Sequence, residues 1–383
     1  MTPALQRSVP FYDYRHDFLA EEEELVRIFR DTGRRGAFIL QEDLFRFEAA
    51  LAQFTGARYA IGVANATDAL HLALRAVGIG AGDEVVFSSH TMAATAAAIH
   101  FTGATPVPVE CGPDHLFDPV SAAAAITSRT RALLPTQLNG RTADMESLAE
   151  LAHWHRLLIV EDAAQALGSR FQGQCAGTFG IAGVISFYPA KMLGCLGDGG
   201  AVLTDDPCTH QRLLQLRDHG RASHGNPGAA AGEIASWGMN SRLDNLQAAF
   251  LNARLARLPA AIERRRAIAR LYRQRLESLD AIVLPPGPDG DAGHFDVFQN
   301  YEIEARARDD LREFLSARSI GTLLPWGGKA VHQWEALGFR VGLPYTEALF
   351  ERLLLLPLNT ALTDDDVHFV CDSIQTFYES NSL

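Results

Sequence analysis

Apolar and polar positions follow two different rhythms along this chain, and the place where they change sets its organisation. From about residue 57 to 205, short apolar or β-branched runs recur between longer stretches with helical spacing. Tyr59 to Val63 predicts a strand, followed by a helix with Leu70, Leu74 and Val77 on one face. Glu84 to Phe87 predicts a second strand, and the alanine-rich Thr91 to Phe101 a buried helix. Thr105 to Val109, Ala132 to Thr136, and Leu157 to Val160 predict further strands, with a helix over Met145 to Trp154 before the last of them. Val184-Ile185 and Ala201 to Thr204 extend the series. Strands alternating with helices imply βαβ units around a mostly parallel sheet, in an α/β fold. Ligands of such sheets collect at the carboxyl ends of the strands.

From residue 243 the pattern changes. Leu243, Leu246, Phe250, Leu251, Leu255 and Leu258 predict a long amphipathic helix, with Pro259 opening a second. Pro285 to Gly290 reads as a loop. A strand over Phe298 to Ile303, a helix over Asp309 to Arg318, a buried strand over Leu353 to Pro357 and a last helix follow. Thr363 and Asp366 have the spacing of a capping box for that helix. The chain therefore divides into a large α/β domain, residues 1–254 with an N-terminal helical segment, and a smaller α+β domain, residues 255–383.

Composition narrows the function classes. A chain of 383 residues with 47% hydrophobic and 21% charged positions has the make-up of an ordinary globular protein. The net charge of −12 argues against nucleic acid or an anionic membrane surface as a partner. The one dense basic run, Arg264-Arg265-Arg266 with Arg270, Arg273 and Arg275, is read as a solvated helix face. Five dispersed cysteines without a CxxC pair fit a reducing compartment better than a disulfide framework or a zinc site, so no metal is expected. Cys195 is expected to be a small apolar filler. Met1 to Pro10 holds no long apolar stretch, and no segment approaches the ~20 apolar residues of a membrane span. A cytoplasmic protein is the expectation.

Candidate chemistry centres on Lys191. It closes Ser186-Phe187-Tyr188-Pro189-Ala190-Lys191, just beyond the strand at Val184-Ile185, and a glycine-dense turn, Gly197-Asp198-Gly199-Gly200, follows. Asp162, in Glu161-Asp162-Ala163-Ala164-Gln165, stands at the end of another strand. A lysine and a carboxylate so placed are what pyridoxal phosphate chemistry needs: the amine forms a Schiff base, and the carboxylate keeps the ring nitrogen protonated. A dinucleotide loop at Gly78-Ile79-Gly80-Ala81-Gly82 is excluded, because it precedes a strand and lacks the GxGxxG spacing.

Together with Arg217-Asp218-His219-Gly220 and Asn240-Ser241-Arg242-Leu243-Asp244, these motifs resemble the DegT/DnrJ/EryC1/StrS sugar aminotransferases, a branch of the fold-type I pyridoxal phosphate enzymes. The resemblance runs from about Phe38 to the C-terminus. It implies Lys191 as Schiff-base lysine and proton carrier, Asp162 as partner of the ring nitrogen, and Gln165, one helical turn on, at the ring hydroxyl or the ring face, with a helix-capping or surface role as the alternative. Ser186, Thr67 and the amide of Ala66 are implied at the cofactor phosphate, where a helix N-terminus supplies free N–H groups; Thr67 as N-cap is an alternative. Asn240 is implied to reach a partner's cofactor across a homodimer with shared active sites. Arg242 is assigned to that interface or to a substrate anion, and His219 and Lys329 to the substrate.

The chain departs from the family at Ala66, where a glycine is usual, and at Met92, where an aromatic often stacks on the ring. His90 is a second candidate for that face. The segment Trp326 to Trp334 is also more elaborate than the family's. The implied reaction is transfer of an amino group, from glutamate, to a keto sugar that is nucleotide-linked. Arg217 to Gly220 favours a 4-keto-6-deoxy sugar over a 3-keto one. A sugar dehydratase on the same scaffold would carry histidine in place of Lys191. A non-catalytic regulatory member would have no use for the intact lysine, aspartate and phosphate set.

Overall fold

The computed structural model describes residues 7–222 and 232–381. A seven-stranded sheet forms the centre of the larger part. Its strands are β1 (Tyr59–Val63), β2 (Glu84–Ser88), β3 (Thr105–Val109), β4 (Thr130–Leu134), β5 (Leu158–Asp162), β8 (Ala182–Ser186) and β9 (Gly200–Thr204), in the order β1-β9-β8-β5-β4-β2-β3. Between β5 and β8 run the two-residue strands β6 (Arg170–Phe171) and β7 (Gln174–Cys175). The pairs from β3 to β8 are parallel, whereas β9 runs antiparallel to both β8 and β1. This reversal matters for the site. The segment joining β8 to β9 turns back at the carboxyl end of β8, and it carries Lys191.

Helices α3 (Ala66–Ala76), α4 (Ala93–Phe101) and α7 (Pro207–Leu216) follow β1, β2 and β9. Their apolar faces pack with Val160, Val184 and Val202 on one side of the sheet. The other side is covered by α2 (Glu42–Thr55) and α8 (Asn245–Leu255), against Ile185, Phe187, Ala201 and Leu203. Further along that layer lie α5 (Pro119–Ala125) and α6 (Met145–His155), over Val86, Leu133 and Ile159. Buried on both faces, β5 opens with the apolar run Leu158 to Val160 and β8 is apolar from Ala182 to Ile185, the pattern of buried parallel strands. Each such Val or Ile contributes about 1.5–3 kcal/mol by leaving water.

The helix predicted over Leu243 to Leu258 and the second one opened by Pro259 both form, with the break three residues earlier than expected. Asp244 is the N-cap residue of α8, which ends at Leu255, and α9 (Leu258–Leu276) begins afresh with Pro259 in its first turn. Helix α9 spans two cores: Leu258 and Ile262 pack with the large sheet, Ile268, Tyr272 and Leu276 with a smaller one. That smaller sheet holds β10 (Ile282–Val283), β12 (Tyr301–Ala305) and β13 (Leu353–Leu356), all antiparallel. Around it lie α10 (Arg308–Ala317), α11 (Pro344–Phe350) and α12 (Asp364–Asn381), while β11 (His294–Phe295) pairs with β6. The strand expected from Phe298 starts only at Tyr301, because Phe298 sits at φ 54° and cannot extend. The capping box forms as read: Thr363 N and Oγ1 donate to Asp366 Oδ2, and Asp366 N donates to Thr363 Oγ1. Helix α1 (Tyr14–Arg35) packs against α8.

Two arginines of the basic run do not lie on a solvated face, which corrects the sequence reading for them while Arg264, Arg270, Arg273 and Arg275 stay partly exposed. Arg265 and Arg266 are buried, at 8% and 6% exposure. Arg265 Nη1 donates to the carbonyls of Phe298, Gln299 and Leu358; Arg266 donates to those of Asp296 and Pro288. These guanidiniums fasten α9 to the loops that precede β12 and follow β13. No helix among the described residues is long and apolar enough to cross a membrane.

Candidate active site

Asp162 ends β5 and is buried, 5% exposed. Its Oδ2 accepts a 2.7 Å hydrogen bond from Thr95 Oγ1, and Oδ1 accepts from the Ala164 amide at 3.2 Å. Burial pushes the carboxyl up from its ordinary range, against the pull of Thr95, the Ala164 amide and Lys191. The residues that follow form turns, so Gln165 reaches the site through a turn and not along a helix. Its Oε1 accepts from the Asn139 amide at 2.8 Å, which fixes the side chain and leaves its NH₂ for another acceptor.

Lys191 is half-buried on the turn beyond β8. Its amide donates to the Tyr188 carbonyl, and the Phe187 amide donates to Gly199 across the mouth of the loop. Burial lowers the ammonium to about 8, and Asp162 is the one charge among the described residues that opposes this. An amine so placed is neutral in about a tenth of molecules at pH 7, a few hundred times the share of an ordinary lysine, and a nucleophile draws on that neutral form. Cys195 behaves as filler: it is 1% exposed, its Sγ lies 3.0 Å and 3.1 Å from the carbonyl oxygens of Phe187 and Gly197, which share its one proton, and burial pushes the thiol to about 12.

Ser186, Gly200 and the start of α3 converge beside Asp162. Asp162 pairs with Val184, and Ser186, two residues on, lies on the same face of β8. Across the β8/β9 ladder Ser186 pairs with Gly200. A Cβ at Gly200 would stand 2.6 Å from the carbonyl carbon of Asn65 and 2.8 Å from the Ala66 nitrogen, so only glycine lets the helix start come this close. Asn65, not Thr67, is the N-cap residue: its Oδ1 accepts from the Asp68 amide at 2.8 Å. The amides of Ala66 and Thr67 therefore have no helical carbonyl to serve, and they lie next to the Ser186 strand end. This is an anion cradle. A cavity of about 600 Å³ reaches Lys191 from the side of α1, past Tyr12, Tyr14 and Tyr188, but Asp162, Ser186 and Thr67 do not line it.

The family model for DegT/DnrJ/EryC1/StrS aminotransferases matches residues 20–375. The chain belongs to that family. The dTDP-3-amino-3,4,6-trideoxy-alpha-D-glucose transaminase of Streptomyces venezuelae is 41% identical over 383 residues, 97% of this chain and 96% of that one. A pleiotropic regulatory protein of Geobacillus stearothermophilus is 36% identical over 379 residues, 97% of this chain and 99% of its own. Among solved structures, S. venezuelae DesV in complex with a ketimine intermediate superposes with a TM-score of 0.92 at 40% identity, covering 97% of this chain and 99% of that one.

Two departures from the family pattern have a physical outcome here. Ala66 replaces the usual glycine without strain, since it is the first helical residue and is absent from the positive-φ positions. Met92 precedes α4 and is 51% exposed, so the face it offers is an open thioether. His90 is turned elsewhere: it is 1% exposed, packs edge-on to Phe350, and lies 3.4 Å from Glu302 Oε2.

The other sequence candidates spread outward. Asn240 is exposed and bridges Asp218 through the main chain. Arg242 Nη1 donates to Asp218 Oδ1 at 2.8 Å. His219 is exposed at φ 59°. Lys329 is exposed and stacks over Trp334 at 5.2 Å. The Trp326–Trp334 segment is pinned by His332, whose Nδ1 lies 2.7 Å from Ser89 Oγ and whose Nε2 lies 3.0 Å from Glu347 Oε1. That trio has the residue types of a hydrolytic triad, yet Ser89 is fully buried and its Oγ also accepts the His332 amide. It is an anchor.

Residues the sequence reading missed are Thr95, which donates to Asp162, and Gln299, whose Nε2 donates to the Ala190 carbonyl at 2.7 Å. Thr95 had a signal: with Thr91 it marks a four-residue spacing in an otherwise alanine-rich helix. Gln299, more than a hundred positions from Lys191, had none.

Proposed function

We propose that the chain is a pyridoxal-phosphate-dependent aminotransferase that moves an amino group from glutamate to a nucleotide-linked keto sugar, acting as a homodimer in the cytoplasm. The observation that carries it is the convergence of a buried carboxylate, a lysine lowered to about 8 and a free helix N-terminus beside Ser186. These residues fit pyridoxal phosphate. With the cofactor bound, Asp162 would accept the ring N–H, the amides of Ala66 and Thr67 with Ser186 would hold the phosphate, and the NH₂ of Gln165 would be free for the ring hydroxyl. When bound, the cofactor supplies an aldehyde that accepts the amino group and a ring that withdraws electrons. Lys191 supplies the amine that holds the cofactor, and afterwards the base that carries a proton between carbons.

We place the division between the two domains near residue 255, with α9 shared between their cores. Phe38, Ile39 and Leu196 are exposed around the start of α8, just after Asn240. An apolar rim there supports burial against a second copy and the reach of Asn240 into its site.

For the carbon aminated, the Arg217–Gly220 segment loses its weight. Arg217 is buried against Glu48 and the Gly62 carbonyl, and Asp218 is held by Arg242. Both serve the fold. The 3-amino product named for the 41% identical transaminase supports a 3-keto substrate over a 4-keto one. The test supplies [15N]glutamate with dTDP- or UDP-linked 3-keto and 4-keto sugars and reads the label in the product by mass spectrometry. Label at C-3 supports the reading; label confined to C-4 overturns the choice of carbon, and label in no sugar overturns the activity.

A further inference from the structure

Three threonine hydroxyls lead through the interior to Asp162. Thr136 Oγ1 lies 2.9 Å from Thr91 Oγ1, Thr91 Oγ1 lies 2.9 Å from Thr95 Oγ1, and Thr95 Oγ1 lies 2.7 Å from Asp162 Oδ2. Thr91 and Thr95 are 0% exposed and Thr136 is 5% exposed, so the chain runs out of contact with bulk water. Its members come from separate elements: Thr136 follows β4, Thr91 precedes α4, and Thr95 stands in the first turn of α4. Main-chain bonds fix the spacing. The Asp162 amide donates to the Pro135 carbonyl, and the Gln137 amide donates to the Asp162 carbonyl, both at 2.9 Å.

The chemistry of these groups sets a direction. An ionised carboxylate only accepts, and a hydroxyl has a single proton to give. Thr95 spends its proton on Asp162 and can then only accept from Thr91. Thr91, its own proton spent, can only accept from Thr136. The charge on Asp162 thus orients every hydroxyl behind it, and each donor polarises the next. Apart from Thr95, the one other hydrogen bond to this carboxylate among the described residues is the longer one from the Ala164 amide. A buried carboxylate short of donors reverts to the neutral acid.

We propose that Thr95, backed by Thr91 and Thr136, is a positioning residue that keeps Asp162 ionised and aimed at the ring nitrogen of bound pyridoxal phosphate. This rests on the reading of Asp162 as that nitrogen's partner. Without the hydroxyl, Asp162 holds its own proton and the ring nitrogen loses the charge that makes the ring an electron sink. Valine has the shape of threonine and lacks the donor, so Thr→Val removes the effect while keeping the packing volume.

The experiment loads wild type, Thr95→Val, Thr95→Ser, Thr91→Val, Thr136→Val and Asp162→Asn with pyridoxal phosphate labelled with 15N in the ring. It reads the ring 15N chemical shift and the pH profile of kcat. Wild type shows a protonated nitrogen. Thr95→Val moves the shift toward the unprotonated position and lowers kcat about ten- to a hundredfold, the weight of one hydrogen bond to a charged group. Thr91→Val and Thr136→Val do so less, in that order, and Thr95→Ser restores both readouts. Wild-type shift and kcat in Thr95→Val overturn the proposal. Should Thr95→Val not fold, unchanged shifts in both Thr91→Val and Thr136→Val overturn it. Asp162→Asn separates the two layers: a ring nitrogen still protonated there defeats the reading of Asp162 itself, whereas its loss there and retention in Thr95→Val defeats the hydroxyl chain alone.

Discussion

Gln299 Nε2 donates a 2.7 Å hydrogen bond to the carbonyl of Ala190, the residue directly before Lys191. The segment leading into β12 thereby grips the turn that carries Lys191, and the position of Lys191 depends on how the smaller sheet is seated. Gln299→Leu is expected to lower kcat about tenfold, the worth of one buried hydrogen bond, while moving the melting temperature little. Steady-state kinetics beside thermal melts check this. A large loss of melting temperature with kcat intact would assign Gln299 to stability alone.

Lys191 gives a prediction on pH. With its ammonium lowered to about 8 from 10.5, the neutral fraction grows as pH rises through about 8 and is nearly complete at 9.5, whereas an ordinary lysine would still be mostly charged there. The rate at which apoprotein takes up pyridoxal phosphate, followed by visible absorbance, is expected to rise with a midpoint near pH 8 and then level off. A rate still climbing toward 10.5 would mean that the amine is not desolvated.

The junction between the larger and smaller parts predicts a separate pH response. His115 Nδ1 lies 2.9 Å from Glu302 Oε1, and its Nε2 lies 3.4 Å from Glu304 Oε1. Burial opposes the charge on His115, but the two carboxylates outweigh it and raise the imidazolium to about 9. Burial also opposes the charge on Glu302, yet His90 and His115 hold it down to about 2. A raised histidine contributes stability that is complete below its unfolded value of 6.5 and is lost as pH rises through 9. A depressed glutamate contributes stability that is complete above its unfolded value of 4.5 and is lost as pH falls through 2. Melting temperature should therefore be greatest from this source between pH 4.5 and 6.5 and decline toward 9. In His115→Gln the decline between 6.5 and 9 should flatten; an unchanged slope would remove the pair from the account.

Arg265 predicts a sharp contrast with its neighbour. Three buried carbonyls depend on its guanidinium, and removing it should cost about 2–4 kcal/mol by leaving them unsatisfied. Arg265→Lys should restore little of this, because an ammonium lacks the planar fork. Arg264 pairs with the exposed Asp364, and Arg264→Met should cost under about 1 kcal/mol. Urea unfolding of Arg265→Met, Arg265→Lys and Arg264→Met separates these expectations.

These residues also mark what the sequence could and could not reveal. The strands around Asp162 and Lys191 were legible because buried β-branched runs between helical segments leave a two-period pattern, and β1 and β3 fall at the predicted limits. Helix α4 starts two residues after its predicted start because Thr91 and Met92 are spent on entering it. Phe298 was read as strand because its left-handed backbone leaves no trace in side-chain type. The arginine run looked solvated because charge suggests water, whereas Arg265 and Arg266 meet carbonyls that arrive from distant loops. The same holds in the site: Asp162 and Lys191 announce themselves at strand ends, but the hydroxyl chain behind Asp162 exists only once β4, α4 and β5 are side by side.

The most direct test of the account compares wild type with Lys191→Ala, both loaded with pyridoxal phosphate, by absorption spectrum and 2-oxoglutarate release on adding glutamate. Wild type should lose its visible band to a shorter wavelength and release one 2-oxoglutarate per site, while Lys191→Ala keeps its fold and does neither. Release of 2-oxoglutarate by Lys191→Ala at a rate near that of wild type would contradict the assignment of the reaction to this residue.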